Sequence, residues 1–251
     1  GMCCSAAELG IGADDGGIMD VQEEVPLGED IKNVWPVDDV VLEIDNKTLT
    51  NRPDLWGHYG LAREFAAIFD KKLKPLETID LSKFDGLHKL DIENNNPDCY
   101  RYGGIAVDNV TVKKSPMQMA IRLCYAGMRD INLLADITNY IMLETGQPMH
   151  AFDHNVVHGI KVLKAVKGDK LLTLEGEEHE IPEGAIVIAD DKKVPVAIAG
   201  IKGGLKASIS DGTTNVLFES ANFDPVMIRK TSRAIGHVTD ASQRYEKSLD
   251  P

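Results

Sequence analysis

The sequence lacks any apolar run long enough to cross a membrane, and its start is not that of a secreted protein. No hydrophobic stretch among the 251 residues approaches the ~18–20 residues that a membrane span requires. The opening GMCCSAAELG has no basic segment followed by an apolar stretch. We therefore expect a cytoplasmic protein with no membrane partner.

Metal-binding cysteine motifs are also missing. The four cysteines are Cys3, Cys4, Cys99 and Cys124; the first two are adjacent and the others are far apart, so none forms a CxxC pair. This pattern is typical of reduced thiols in a cytosolic protein. We expect no metal site and no cofactor in this chain.

Positive charge is scarce. The formal net charge is -13 and the pI is near 4.9. Strong binding of nucleic acid through its phosphates needs clustered lysine and arginine. The composition therefore argues against tight binding of nucleic acid by this chain alone, and any RNA partner would need to be held partly by other components.

The remaining composition is that of a globular protein, with 43% hydrophobic and 27% charged residues. Short apolar runs predict strands, and they alternate with helical patterns, so we predict a mixed α/β (α+β) fold with a central mixed sheet flanked by helices. The predicted strands cover 105–107, 161–166, 171–174, 185–189, 194–199 and 216–218. A hairpin turn is expected at Glu175-Gly176.

Helix signals divide the chain into two parts. A smaller, partly helical unit is predicted for residues 1–86, where Leu61, Phe65, Ile68 and Phe69 fall on one helical face. Residues 87–251 are predicted to form the main domain. Its expected helices begin after Ser115, cover 135–145 up to Gly146, and begin again at Asp224-Pro225 and at Thr239-Asp240. The following helical face is expected to be apolar: Met117, Ile121, Cys124 and Met128.

Arg52 and Asp54 flank Pro53 ahead of the first helix. The pair is able to tie the loop to the helix by paired hydrogen bonds, and we favour this structural role over a functional one. Pro53 suits a first helical position because its φ angle is fixed.

Thr138, Asn139 and His150 place a hydroxyl, an amide and an imidazole on either side of a predicted helix end. A single histidine is more often a structural residue than a catalyst, and Asp153 is able simply to fix it. The spacing by itself is a weak signal of a catalytic site.

Gly200 and Gly203 lie in AGIKGG, directly after a predicted strand. Glycine allows a backbone to approach a ligand closely, although a tight turn is the simpler interpretation. The segment is not a P-loop because it lacks the GK[ST] ending.

Glu219 follows the apolar run Leu217-Phe218. Such a carboxylate is usually exposed at a sheet edge. If it is buried, it needs a partner and becomes a plausible acceptor for a substrate hydroxyl. The stretch from Thr239 to Glu246 has a simple structural interpretation, an N-cap followed by an Asp240–Arg244 pair.

The order of several motifs carries more information than any one of them. They are NRPDLWGHYGLAREFAA (51–67), DITNYIMLETGQPMHAFD (136–153), PVAIAGIKGG (195–204), FESANFDPVMIRKTSR (218–233) and TDASQRYEKSLDP (239–251). In this order they resemble the β-subunit of bacterial phenylalanyl-tRNA synthetase over nearly the whole chain. The resemblance implies a central piece of that subunit containing its editing domain, without the synthetic active site.

The resemblance also implies a site and partners. The editing pocket of the family maps onto His150, Thr138 and Asn139 as catalytic residues, and onto Glu219, Gly200, Gly203, Thr239 and Ala241 as substrate-binding residues. Glu219 would accept a tyrosyl hydroxyl and His150 would position the ester or a water molecule. The implied partners are the α-subunit in a heterotetramer, the 3′ end of tRNA(Phe) and a tyrosine moiety. ATP and Mg²⁺ are expected only for the whole enzyme.

One position departs from the family. Lys202 stands where the family more often has an apolar residue, commonly methionine, and it either adds charge near the ester or points to solvent. Three functions remain open at this stage: an esterase that clears tyrosyl-tRNA(Phe), a non-catalytic assembly or RNA-binding module of the synthetase, and a free-standing amino-acid hydrolase or sensor.

Overall fold

The computed structural model describes residues 3–21, 24–84, 86–87, 89–174 and 176–251. The α-helices are α1 Ile31–Val34, α2 His58–Ile68, α3 Met117–Tyr125, α4 Leu133–Thr145, α5 Pro225–Ala234 and α6 Asp240–Tyr245. The strands are β1 Asp91–Asn94, β2 Cys99–Val107, β3 Met149–Asp153, β4 Gly159–Lys164, β5 Lys170–Leu172, β6 Glu178–Glu180, β7 Ile186–Ala189, β8 Pro195–Ile198, β9 Lys202–Gly203 and β10 Val216–Phe223. Short 3₁₀ turns cover Lys47–Leu49, Pro53–Trp56, Ser82–Phe84 and Leu205–Ala207.

The strands form two main sheets. A five-stranded sheet has the order β1-β4-β7-β8-β9, with β1 and β4 parallel and the other pairs antiparallel. A three-stranded antiparallel sheet has the order β2-β10-β3, and β5 and β6 form a separate hairpin. The predicted mixed α/β fold with a mixed sheet is confirmed.

The two main sheets share one apolar core. Ile160, Ile188 and Ile198 of the larger sheet and Leu217 and Phe223 of β10 belong to the same buried cluster. Alternate residues of a strand point to the same side, so positions 217, 219, 221 and 223 of β10 all face this core. The site described below lies on that face.

The other face of the three-stranded sheet is covered by α4. Leu134 packs there with Ala151 and Val216. Asn132 caps the start of α4 by accepting hydrogen bonds from two backbone amides, and the helix ends at Gly146, whose φ of 82° is left-handed. The predicted helix and its glycine stop are confirmed, with the start two residues earlier.

The N-terminal part packs closely against this domain. A Cβ atom on Gly57 would lie 2.3 Å from the backbone nitrogen of Gly146, so only glycine permits this approach. The Nε of Arg244 donates to the carbonyl oxygen of Trp56 at 3.2 Å. The boundary between residues 86 and 87 stays a prediction, because these contacts do not test where one unit ends.

The structural role favoured for Arg52 and Asp54 is confirmed. The guanidinium of Arg52 donates two hydrogen bonds to the Asp54 carboxylate, at 2.9 and 2.8 Å, and a third to Glu64. These bonds, with one from Arg63, lower the pKa of Asp54 to about 2. The network joins the turn at Pro53 to α2.

One local prediction needs correction. Ser115 does not cap α3, which begins at Met117; its hydroxyl instead donates to Asp136 at 2.5 Å, since that buried carboxylate needs a donor. The apolar face predicted on α2 is largely exposed: Phe65 is 41% exposed and Ile68 63%.

The hairpin predicted at Glu175-Gly176 connects β5 to β6. Glu175 lies outside the described residues, whereas Gly176 has a φ of 81° and its amide donates to the Thr173 carbonyl. The four cysteines, all among the described residues, carry thiols and form no disulfide. Within the described part of the chain, no helix has both the length and the hydropathy that crossing a membrane demands.

Candidate active site

Two polar residues stand side by side on the core face of the three-stranded sheet. Glu219 of β10 is paired in register with His150 of β3 on one side and with Gly104 of β2 on the other. Its neighbours along the same face of β10, Leu217 and Ala221, are buried apolar residues. The sheet thus places a carboxyl and an imidazole together in an otherwise apolar core.

The carboxyl group of Glu219 is buried in the middle of a central strand, not exposed at an edge. The residue is 5% exposed, and the hydroxyl of Tyr102 donates to its Oε2 at 2.5 Å. Burial raises the pKa of Glu219 to about 7, although the Tyr102 hydrogen bond opposes this rise. Near neutral pH the group therefore exchanges between its charged and neutral forms.

Other titratable groups near Glu219 are held neutral. Burial, with a smaller contribution from the charge of Glu219, raises the pKa of Cys99 to about 12 and raises the pKa values of Tyr102 and Tyr245 above their usual range. These groups are uncharged at neutral pH, so they act as hydrogen-bonding or apolar neighbours.

His150 is also held in its neutral form. Burial lowers its pKa to about 4, and its ring meets Phe152 edge to face with centroids 4.5 Å apart. A neutral imidazole has one donor and one acceptor nitrogen, so at neutral pH it is suited to orienting a water molecule or a carbonyl group. Such a low pKa makes it a weak general base.

A pocket of about 70 Å³ opens beside these two residues. The residues that line it come from both sheets and from α6: Pro148, Met149, His150, Phe152, Ile188, Ala197, Ile198, Ala199, Gly200, Ile201, Lys202, Gly203, Glu219, Ala241 and Tyr245. It therefore has mostly apolar walls with a few polar groups, as small-molecule sites do. Five predicted site residues meet here, namely His150, Gly200, Gly203, Glu219 and Ala241.

A larger cleft of about 780 Å³ lies elsewhere, beside Arg52, Arg63 and the last four residues of the chain. Its two arginines are already paired with Asp54 and Glu64. It contains none of the predicted site residues. The smaller pocket, with its buried carboxyl and half-buried imidazole, is the better candidate for chemistry.

Both predicted glycines allow a close approach at the pocket wall. A Cβ atom on Gly203 would lie 2.7 Å from Cε1 of His150, and one on Gly200 would lie 2.7 Å from the ring of Tyr245. Gly200 also has a φ of 67°, which disfavours other residues. The glycines thus make room for the two aromatic rings that shape the pocket.

Thr239 and Ala241 lie at the start of α6. Thr239 is the N-cap, and its hydroxyl also donates to the carbonyl oxygen of Ile201 at 3.3 Å, which ties the helix to the glycine segment. Ala241 lines the pocket. The Asp240–Arg244 pair is present at 3.3 Å, as expected for an i,i+4 contact.

Thr138 and Asn139 are not among the residues that line the pocket. They lie on α4, which covers the opposite face of the three-stranded sheet. The Thr138 hydroxyl donates to the Ala135 carbonyl of the same helix at 2.6 Å. Their catalytic role stays a prediction.

Lys202 lines the pocket, and its Nζ lies 3.1 Å from Nε2 of His237. A lysine amino group thus lies at the pocket wall. Among the described residues, no group of three or more histidine, cysteine, aspartate or glutamate side chains is placed to hold a metal ion.

Sequence reasoning missed Tyr102 and Tyr245 as site residues. The sequence predicts only residues 105–107 of β2, and Tyr102 lies before them. The pairing of β2 with β10, which brings Tyr102 to Glu219, is not visible in the sequence. Tyr245 lies in the quoted motif TDASQRYE, but its side chain is directed to the pocket only by the position of α6. No local pattern marks either residue.

Comparison of the sequence with known proteins places this chain in a family. The B3/4 domain matches residues 98–251. The phenylalanine–tRNA ligase β subunits of Solibacter usitatus and Carboxydothermus hydrogenoformans are 43% and 44% identical over 254 and 257 residues, which is 100% of this chain and 32% of each relative. The same subunit of Aquifex aeolicus is 40% identical over 252 residues, again 100% of this chain and 32% of the relative.

A crystal structure of an N-terminal fragment of the phenylalanyl-tRNA synthetase β-subunit from Pyrococcus horikoshii covers 76% of this chain and 60% of its own, with a TM-score of 0.41 and 16% identity. This similarity is too low to establish a shared fold. The sequence matches do not depend on it. The chain spans about a third of the length of the curated relatives it matches, and it belongs to the B3/4 domain family.

Proposed function

We propose that this chain is the editing part of a phenylalanine–tRNA ligase β-subunit and hydrolyses tyrosyl-tRNA(Phe). The observation that carries the proposal is the buried carboxyl of Glu219 at an apolar pocket beside a neutral His150. The identity to β-subunits over the whole chain supports it.

The chemical need for such a site follows from the two amino acids. Tyrosine adds only a hydroxyl to phenylalanine, and an apolar pocket rejects an added hydroxyl by only ~10²-fold. A site that binds the hydroxyl discriminates by ~10⁴–10⁵ because its polar group is left unpaired by the wrong ligand. Glu219 is that polar group in this proposal, as the acceptor for the tyrosyl hydroxyl.

Hydrolysis requires water to attack the ester carbonyl and the ribose oxygen to leave with a proton. His150 orients the water or the carbonyl through its neutral imidazole. Backbone amides near Gly200 and Gly203 bind the carbonyl end of the aminoacyl group. Thr138 and Asn139 lie on α4, across the sheet from the pocket, and are assigned no step in this mechanism.

The partners in this proposal are the α-subunit, with which the whole β-subunit forms a heterotetramer, and the 3′ end of tRNA(Phe). The net charge of -13 favours RNA binding that depends on those other components. We propose a cytoplasmic location. ATP and Mg²⁺ serve the synthetic reaction of the whole ligase, and no cofactor is assigned to this chain.

The test is hydrolysis of tyrosyl-tRNA and phenylalanyl-tRNA by the heterotetramer carrying Glu219→Gln or Glu219→Ala. The amide keeps the shape but loses the charge, so the preference for the tyrosyl ester should fall by at least tenfold with both variants. Equal losses for the two esters would remove the hydroxyl-reading role. No hydrolysis by the unmodified enzyme would remove the editing function itself.

An assembly role is favoured by a separate observation. Phe65, Ile68 and Phe69 form an exposed apolar surface at the end of α2, far from the pocket in the chain. Such a surface is typical of a contact with another protein segment. Substituting all three by serine should weaken α–β association and leave the tyrosyl preference of the assembled enzyme unchanged.

A further inference from the structure

We propose that Tyr102 is a positioning residue for the hydroxyl-reading carboxyl: it holds Oε2 of Glu219 so that Oε1 alone is presented to the ligand. The inference rests on the proposed function and deepens it. Tyr102 stands on β2, two positions along from Gly104, which is paired with Glu219.

The register explains how Tyr102 reaches the carboxyl. Tyr102 is paired with Ala221 of β10, and Ala221 is two residues from Glu219. Diagonal neighbours on one face of an antiparallel pair lie within reach of a long aromatic side chain. Gly104, directly opposite Glu219, has no side chain, and the methyl ends of Leu90 and Ile92 pack over it. The hydroxyl of Tyr102 therefore meets Oε2 at 2.5 Å.

A carboxylate with one fixed oxygen is a more selective acceptor than a free one. An unheld carboxyl in an apolar pocket is able to rotate about its terminal bond or to fold back on a backbone donor. With Oε2 bound by Tyr102, rotation would break a charge-assisted hydrogen bond. The orientation of Oε1 is then set by the sheet and not by the ligand.

The same hydrogen bond controls ionisation. A hydrogen bond donated to the charged form favours that form, and Tyr102 opposes the burial that raises the pKa of Glu219 to about 7. Around Glu219 the other titratable groups are Cys99 on β2, His150 on β3 and Tyr245 on α6, and Lys202 on β9 also lines the pocket. Among the described contacts, the hydrogen bond to Glu219 comes from Tyr102 and from none of these groups.

The central experiment compares Tyr102→Phe with Tyr100→Phe. Tyr100 is a matched control, because it lies on the same strand and its hydroxyl also donates to a carboxylate, Asp224 at 2.7 Å, but on the exposed side of β2. In the heterotetramer, Tyr102→Phe should lower the preference for tyrosyl-tRNA over phenylalanyl-tRNA by about tenfold, as expected for one hydrogen bond to a charged group. Tyr100→Phe should leave it unchanged.

The pH profile separates positioning from simple structural support. The preference for tyrosyl-tRNA over phenylalanyl-tRNA is measured from pH 5.5 to 9. The midpoint of its pH dependence reports the ionisation of Glu219. Tyr102→Phe should move the midpoint upward by about one pH unit, because the charged form loses a donor. A structural role alone would reduce activity without moving the midpoint, and that result would overturn the proposal.

Two further arms cover the remaining cases. If Tyr102→Phe does not fold, 3-fluorotyrosine at position 102 keeps the ring and hydroxyl while making the phenol a stronger donor, so the midpoint should move downward. In the Glu219→Gln background, Tyr102→Phe should cause no further loss of preference, whereas an additive loss would contradict action through Glu219. Loss of preference in Glu219→Gln with no effect of Tyr102→Phe would overturn this inference and leave the proposed function standing.

Discussion

Gly203 and His150 are packed so closely that any side chain at position 203 would displace the imidazole ring. A Cβ atom there would lie 2.7 Å from Cε1 and 3.0 Å from Nε2 of the imidazole. The ring also meets Phe152 edge to face, at 4.5 Å between centroids. The glycine segment and β3 therefore fix the position of the imidazole together.

The first prediction follows from this contact. Gly203→Ala should displace the His150 ring, lower hydrolysis of tyrosyl-tRNA at least tenfold, and cost about 1–3 kcal/mol of stability through overpacking. Single-turnover hydrolysis and thermal unfolding measure the two effects. Gly212→Ala is the control, since a Cβ there would have its nearest neighbour at 3.9 Å. Unchanged hydrolysis in Gly203→Ala would show that the ring position does not matter.

The second prediction concerns His150 directly. His150→Ala should lower the hydrolysis rate by about 10²-fold, because losing the orientation of a reacting group costs about that much. It should keep most of the preference for the tyrosyl ester, since Glu219 still reads the hydroxyl. The measurement is the rate for both esters, with exposed His158→Ala as control. A fully active His150→Ala would return His150 to a structural role.

The third prediction concerns the pH dependence of ligand binding. The pKa of Glu219 is about 7, and a ligand hydroxyl donates best to the charged form. Binding of L-tyrosine should therefore strengthen as pH rises from 6 to 8, while binding of L-phenylalanine should weaken or stay level. Calorimetric titration at several pH values measures both. Parallel profiles for the two amino acids would contradict the assignment.

The fourth prediction links the same group to stability. Glu219 has a folded-state pKa of about 7 against 4.5 when unfolded. Its contribution to the free energy of unfolding is therefore full below pH 4.5 and is lost as the pH rises through 7. Glu219→Gln removes this loss and should be more stable than the unmodified chain at pH 8, by on the order of 3 kcal/mol.

The opposite sign applies to His150. Its pKa falls from 6.5 to about 4 on folding. Its contribution to the free energy of unfolding is therefore full above pH 6.5 and is lost as the pH falls towards 4. Urea unfolding at pH 5 and pH 8 separates the two groups. The stability gain of Glu219→Gln should grow between these pH values, and a gain of equal size at both would be inconsistent with the shifted pKa.

The fifth prediction concerns RNA binding by the chain alone. With a net charge of -13, it should bind tRNA weakly, and the affinity should fall steeply as salt rises. Fluorescence titration with tRNA at 50 and 150 mM salt tests this. Sub-micromolar affinity at the higher salt would mean that a local basic surface outweighs the overall charge.

Much of the local structure was predictable from the sequence. Gly146 ends α4, Asp224 and Pro225 begin α5 and Thr239 caps α6, because these signals act within one turn of the backbone. All six predicted strands have counterparts in the fold because apolar β-rich runs are also local signals. Strands β1, β3, β6 and β9 were missed, since they are short or partly polar.

The sequence by itself determined the family, the mixed α/β class and five of the residues that meet at the pocket. Tertiary structure alone decided that Glu219 is buried in a central strand, that Tyr102 donates to it, and that Thr138 and Asn139 lie on the helix covering the opposite face. The reason is that capping and strand formation depend on neighbours in sequence, whereas a pKa or a hydroxyl contact depends on register between strands up to 117 residues apart.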